Sequence, residues 1–118
     1  MLKVNIVKQN AASILEIDGE VDLYSSPEVR KTLYNLIDKK APVIIVDLEK
    51  VPYMDSSGVA TLVEGWQRVK GYKGKILLTS LRKEVRDVFA LTKLDNFFEI
   101  YDTQADALKS IGADGNGK

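Results

Sequence analysis

The sequence predicts an α/β domain on a mixed, mostly parallel sheet, with about five strands and about four helices in the order β-β-α-β-α-β-α-β-α. Three features point there. Short β-branched runs alternate with stretches whose apolar residues recur at helical spacing, the pattern of strands joined through crossover helices. The run VIIVDL (43–48) is apolar almost without a break, as a strand covered on both faces must be. The first two strand-like segments are joined by a short polar connection, so the chain opens as a hairpin and its first strand lies antiparallel at one edge.

Each element follows from its residues. LKVNIV (2–7) alternates and reads as a strand. SILEIDGEVD (13–22) holds a second strand over 13–18, left at Gly19. Ser26-Pro27 reads as an N-cap followed by proline at the first helical position. Val29, Leu33, Leu36 and Ile37 then make one apolar stripe of a helix that ends near Lys40, before Pro42. After strand 43–48, Val59, Leu62, Val63, Trp66 and Val69 mark a second helix, ended at Gly71–Gly74. KILLTS (75–80) is the next buried strand. Val85, Val88 and Phe89 mark a third helix, and FFEIY (97–101) a last strand. Thr103 with Asp106 forms a capping box for a final helix carrying Ala107, Leu108 and Ile111. One domain is expected over 1–111, with GADGNGK (112–118) a frayed tail.

The bulk numbers exclude several functions. The chain has 118 residues, with 17 basic and 17 acidic side chains, so its net charge is zero. Nucleic acid needs a basic footprint, and anionic lipid a polybasic patch; neither partner is expected. Cysteine and histidine are absent, which removes disulfides, thiol catalysis, the usual general base and the commonest metal ligand. No metal and no cofactor is expected. The N-terminus MLKVNIVKQN lacks the apolar core of a signal peptide, and no apolar run approaches a membrane span. The plain reading is a soluble cytoplasmic monomer.

In a parallel sheet the useful surface lies beyond the carboxyl ends of the strands. If strands 13–18, 43–48 and 75–79 are neighbours, loops 19–26, 50–58 and 80–83 share one edge. The middle loop contains DSSG (55–58) just before the second helix. As a helix cap, such a serine contributes about 0.5–2 kcal/mol and nothing more. A hydrolase would need G-x-S-x-G and a base, and the chain has neither. A receiver domain would use Asp47 at the end of the central strand, but strand 2–7 lacks the acidic pair that holds magnesium. GYKGK (71–75) lacks P-loop spacing and reads as a turn. Trp66 sits on an apolar stripe and reads as packing, and Ser25 and Ser26 as caps.

YMDSSGV (53–59), preceded by IIVDL (44–48), closely resembles the signature of bacterial anti-sigma factor antagonists, the STAS domain family. GEVDLYSSPEVRKTL (19–33), LLTSLRKEVRDVFALTKLDNFFEIYDT (77–103) and the T-x-x-D-A-L ending extend the resemblance over nearly the whole chain. The family often carries a second glycine two residues after the first; here that position is Ala60. The resemblance implies a STAS fold and a binding protein that catalyses nothing. It makes Ser56 the phosphoacceptor. It implies an anti-sigma factor serine kinase of ATPase-like fold as partner, and a serine phosphatase that resets the cycle. It makes Asp22 the start of the family's other recognition loop, so the partner surface is expected on Asp22, Asp55, Ser57 and Gly58, with Tyr24 and Tyr53 as anchors because tyrosine is enriched at hot spots. Asp22 reads equally as an exposed turn aspartate, and Tyr24 and Tyr53 as half-buried rim residues. The alternative is a STAS scaffold in another signalling or lipid-transport assembly, without phosphorylation control.

Overall fold

The structure is a computed structural model that describes residues 2–112. Of the expected tail, residues 113–118 lie outside the described residues. β1 (Lys3–Gln9) and β2 (Ala12–Asp18) form the opening hairpin, antiparallel from Lys3 opposite Asp18 to Gln9 opposite Ala12. α1 (Ser26–Asp38) leads to β3 (Val43–Lys50), and α2 (Ser56–Lys70) to β4 (Lys75–Thr79). α3 (Lys83–Leu91) passes through a short 3-10 helix (Leu94–Asn96) to β5 (Glu99–Tyr101), and α4 (Gln104–Ser110) closes the fold. The five strands lie in sequence order, β1-β2-β3-β4-β5, and β2 to β5 are parallel.

Strand periodicity divides the core. Leu15, Ile17, Ile44, Val46, Ile76 and Leu78 point to one face, where Val29 and Leu33 of α1, Leu62 and Val69 of α2, and Val85 and Phe89 of α3 cover them. The alternate residues Ile14, Ile45 and Leu77 point to the other face and meet Ala107 of α4. β3 is therefore buried on both sides from Ile44 to Leu48, as its unbroken apolar run requires.

Three details differ from the sequence reading. α1 starts at Ser26, so Ser25 is the flanking cap residue and Pro27 the second helical residue; the Ser25 side chain makes no capping bond. At α4 the Thr103 hydroxyl accepts from Asp106 N–H at 3.1 Å, the forward half of the expected capping box. The last strand is only Glu99–Tyr101. Left-handed Lys93 (φ 60°) turns the chain into the 3-10 helix, which leaves Phe97 exposed and sends Phe98 into the core. Trp66 packs as expected, edge-on to Phe97 at 5.8 Å and Phe98 at 6.3 Å. GYKGK is a turn, with Lys73 at φ 64°.

Candidate functional site

The pairing of β2 with β3 continues past the regular strands. Gly19 N–H donates to Lys50 O, Val21 N–H to Tyr53 O and Asp55 N–H to Val21 O, each at 3.0 Å. Val21 and Met54 thereby form a parallel bridge, both side chains 1% exposed. Loop 19–26 is thus held against the entry to α2. The third loop joins at Arg82, whose Nε donates to Glu49 O at 2.8 Å. Loops 19–26 and 50–58 meet at this sheet edge, and loop 80–83 reaches the end of β3 beside them.

Asp55 caps α2. Its Oδ1 accepts from Ser57 N–H at 2.8 Å and Gly58 N–H at 3.3 Å, satisfying two of the free donors of the first turn. Its Oδ2 accepts from Leu23 N–H at 3.2 Å, across 32 positions of sequence. Ser56 is the first residue of the helix and is exposed; Ser57 is half-buried. Gly58 is where backbone comes close. A Cβ there would lie 2.6 Å from Met54 Cγ, 2.8 Å from Val21 Cγ1 and 3.2 Å from Val21 O. Ala60 is exposed and under no such constraint, so its departure from the family pattern is accommodated.

Loop 19–26 is tied internally by Asp22 and Ser25. Asp22 Oδ1 accepts from Tyr24 N–H at 2.9 Å and Ser25 N–H at 3.0 Å. The Ser25 hydroxyl accepts from Asp22 N–H at 2.9 Å and donates to Glu20 O at 2.7 Å. The Ser25 N–H, ahead of the other donors, holds the Asp22 carboxyl below the ordinary aspartate range. With its polar groups turned inward, the loop lifts apolar side chains into solvent: Leu23 is 64% exposed and Tyr24 89%. Tyr24 is more exposed than a rim residue, and Tyr53, at 47%, stands beside the same turn.

Asp47 points away from this edge. It is buried against the α4 side, accepts from Glu49 N–H at 2.9 Å and is bonded by the Gln104 side-chain amide, which also donates to Glu16 at 2.9 Å. An aspartate so occupied is no exposed phosphoacceptor, which disposes of the receiver reading. Among the described residues no cluster of acidic side chains is arranged to hold a metal ion, and no helix is long and apolar enough to cross a membrane.

The edge is thus a capped helix start that carries an exposed serine beside a raised apolar loop. Residues 3–107 match the STAS domain family model, and the chain belongs to that family. It is 35% identical over 101 residues to the anti-sigma-B factor antagonist of Bacillus subtilis, covering 84% of this chain and 92% of that one. An anti-sigma factor antagonist from Mycobacterium paratuberculosis superposes with a TM-score of 0.88 at 21% identity, over 95% of both chains. The Bacillus cell fate determinant SpoIIAA, solved in its phosphorylated form, has a TM-score of 0.72 at 21% identity, over 94% of this chain and 99% of that one.

Of the residues singled out from the sequence, Asp22, Tyr24, Tyr53 and Asp55 lie on the two joined loops, and Ser56, Ser57 and Gly58 form the first turn of α2. Sequence reasoning missed the bond from Leu23 to Asp55 and the role of Ser25 within the loop. The first has no local signal, since its partners lie 32 positions apart; the second is local, a turn in which Asp22 and Ser25 bond each other, and the D-x-x-S spacing could have shown it.

Proposed function

We propose that the chain is an anti-sigma factor antagonist. It binds an anti-sigma factor serine kinase of ATPase-like fold through loop 19–26 and the first turn of α2, and phosphorylation of Ser56 ends that binding. A serine phosphatase acting on the phosphorylated form restores it. The observation that carries the reading is the position of Ser56: exposed, first in its helix, and next to the residue that bonds the raised Leu23–Tyr24 loop. The relatives support it, since the antagonist name recurs among them and one of similar fold, SpoIIAA, has a phosphorylated form.

The physics suits a switch of binding rather than of fold. Phosphoserine adds about −1.5 to −2 charges. At a helix N-terminus that charge gains about 0.3–1 kcal/mol from the dipole. Repulsion from Asp55 is of similar size, about 1 kcal/mol in water-like surroundings. The two nearly cancel, so the domain keeps its fold. At a packed protein interface the same charge is desolvated or mispaired, which costs about 2–5 kcal/mol. That corresponds to roughly 30- to several-thousand-fold in affinity.

The test is a paired binding measurement. The wild-type chain and Ser56→Asp are titrated into each purified serine-kinase anti-sigma factor of the source organism. Mass spectrometry then locates phosphate after incubation with ATP. Tight binding of wild type, loss in Ser56→Asp and phosphate on Ser56 are expected. Equal binding by both proteins, or phosphate elsewhere, would sink the switch and leave a STAS scaffold.

A further inference from the structure

We infer that Asp55 is a positioning residue, a latch whose second carboxylate oxygen fixes the raised loop at a set distance from Ser56. The inference rests on the proposed reading of that loop as the partner surface. Three backbone rungs, at Gly19, Val21 and Asp55, join the two segments. They stop at Val21, two residues short of the exposed Leu23–Tyr24 crest. The fourth rung is a side chain: Leu23 N–H donates to Asp55 Oδ2. One carboxylate therefore does two separable things. Oδ1 caps α2 through Ser57 and Gly58, and Oδ2 holds the crest.

This division explains why aspartate stands here. Serine, threonine and asparagine cap helices as well as aspartate does. None of them offers a second acceptor on the far side: asparagine presents an NH2 group there, a donor facing a donor. A held crest also loses little entropy on docking, which favours affinity without adding a contact. It has a further consequence for the switch. The Ser57 and Gly58 amides, which would otherwise bind an anion at the helix start, are already occupied. A phosphate on Ser56 then stays in solvent, with its full charge presented to the partner.

Asp55→Asn tests the latch by one substituted atom. Amide hydrogen exchange at Leu23, which loses its acceptor, is expected to rise about tenfold or more, while Ser57 and Gly58, still facing a neutral side-chain oxygen, rise clearly less. Global stability should stay near wild type. Unchanged exchange at Leu23, or a rise along the first turn of α2 as large as that at Leu23, would overturn the latch. Neither result depends on a partner being found, so the latch can fail while Ser56 remains the switch, and the reverse. A second variant, Asp55→Ser, keeps a cap and lacks the far oxygen; it must reproduce the faster Leu23 exchange, and failure to do so would also overturn the inference. Where a serine-kinase anti-sigma factor has been found to bind, calorimetry with Asp55→Asn should show about tenfold weaker binding with Ser56 intact. Wild-type affinity in that measurement would show that the latch does not serve recognition.

Discussion

Gly58→Ala measures how closely α2 must approach the loop that precedes it. An added Cβ meets Met54 Cγ at 2.6 Å and Val21 Cγ1 at 2.8 Å. Both neighbours are 1% exposed and hemmed in by the core, and Val21 is stiff at χ1. Val21 O, 3.2 Å from the new atom, is itself the acceptor for Asp55 N–H, so it cannot retreat without loosening a rung. Overpacking of this kind costs about 1–3 kcal/mol. Alanine's better helix propensity returns about 0.5–1 kcal/mol. The net loss is about 0.5–2 kcal/mol, which for a domain of this size lowers the melting temperature by about 2–8 °C. Thermal unfolding followed by circular dichroism reads it directly. Gly65→Ala is the comparison: its Cβ meets the far end of Leu33 at 2.7 Å and Ile76 Cδ1 at 3.3 Å, with no backbone atom in the way, so its loss should be smaller. A Gly58→Ala protein that melts at the wild-type temperature, or above Gly65→Ala, would refute the close-approach account.

Other outcomes follow from the same geometry. Phe89→Ala removes a fully buried ring that packs edge-on to Phe98 at 5.7 Å, and should cost about 3–5 kcal/mol by urea unfolding. The Thr79 hydroxyl is fully buried and meets no hydrogen-bond partner among the described residues. Thr79→Val should therefore be neutral or stabilising by about 1 kcal/mol, against the usual loss for a core change. Asp22 has its folded pKa below the ordinary value of 3.8, so it favours the folded state above that pH, and its contribution is lost as pH falls through the folded pKa. Carboxyl-carbon NMR titration should place its midpoint below 3.8, and Asp22→Asn should flatten the acid limb of the stability curve. Ser56→Asp should melt within about 2 °C of wild type, because the fold tolerates charge at an exposed helix start.

Much of this architecture could be read from residues alone. The run 43–48 announced a doubly covered strand, and the spacing of Val29, Leu33, Leu36 and Ile37 gave the buried stripe of α1. DSSG was legible as a helix start because capping is local chemistry. The errors fall where another contact outcompetes the one that local preference suggests. FFEIY has strand composition, yet Phe98 turns inward to Phe89 and Trp66, and only Glu99–Tyr101 finds a neighbour in β4. Ser25 lies where a cap belongs, but its hydroxyl is claimed by Glu20 and Asp22 of its own loop. The carboxylate of Asp55 could be assigned to α2 and not to Leu23, since nothing in a linear pattern joins positions 32 apart.

The two faces of the sheet are unequally insured against fluctuation. α1, α2 and α3 share one large apolar cluster, so none of them can detach without exposing the others' contacts. α4, a helix of seven residues, rests on a small cluster of Ala12, Ile14, Ile45, Leu77 and its own Ala107. Local opening costs least where the fewest apolar contacts are broken, so α4 is the unit that leaves first. Its departure would release Gln104 from Glu16 and Asp47 on the far face, while the stitched loops around Ser56 stay in place. The edge that carries Ser56 is thus built into the cooperative half of the molecule, and breathing of the C-terminal helix does not reach it.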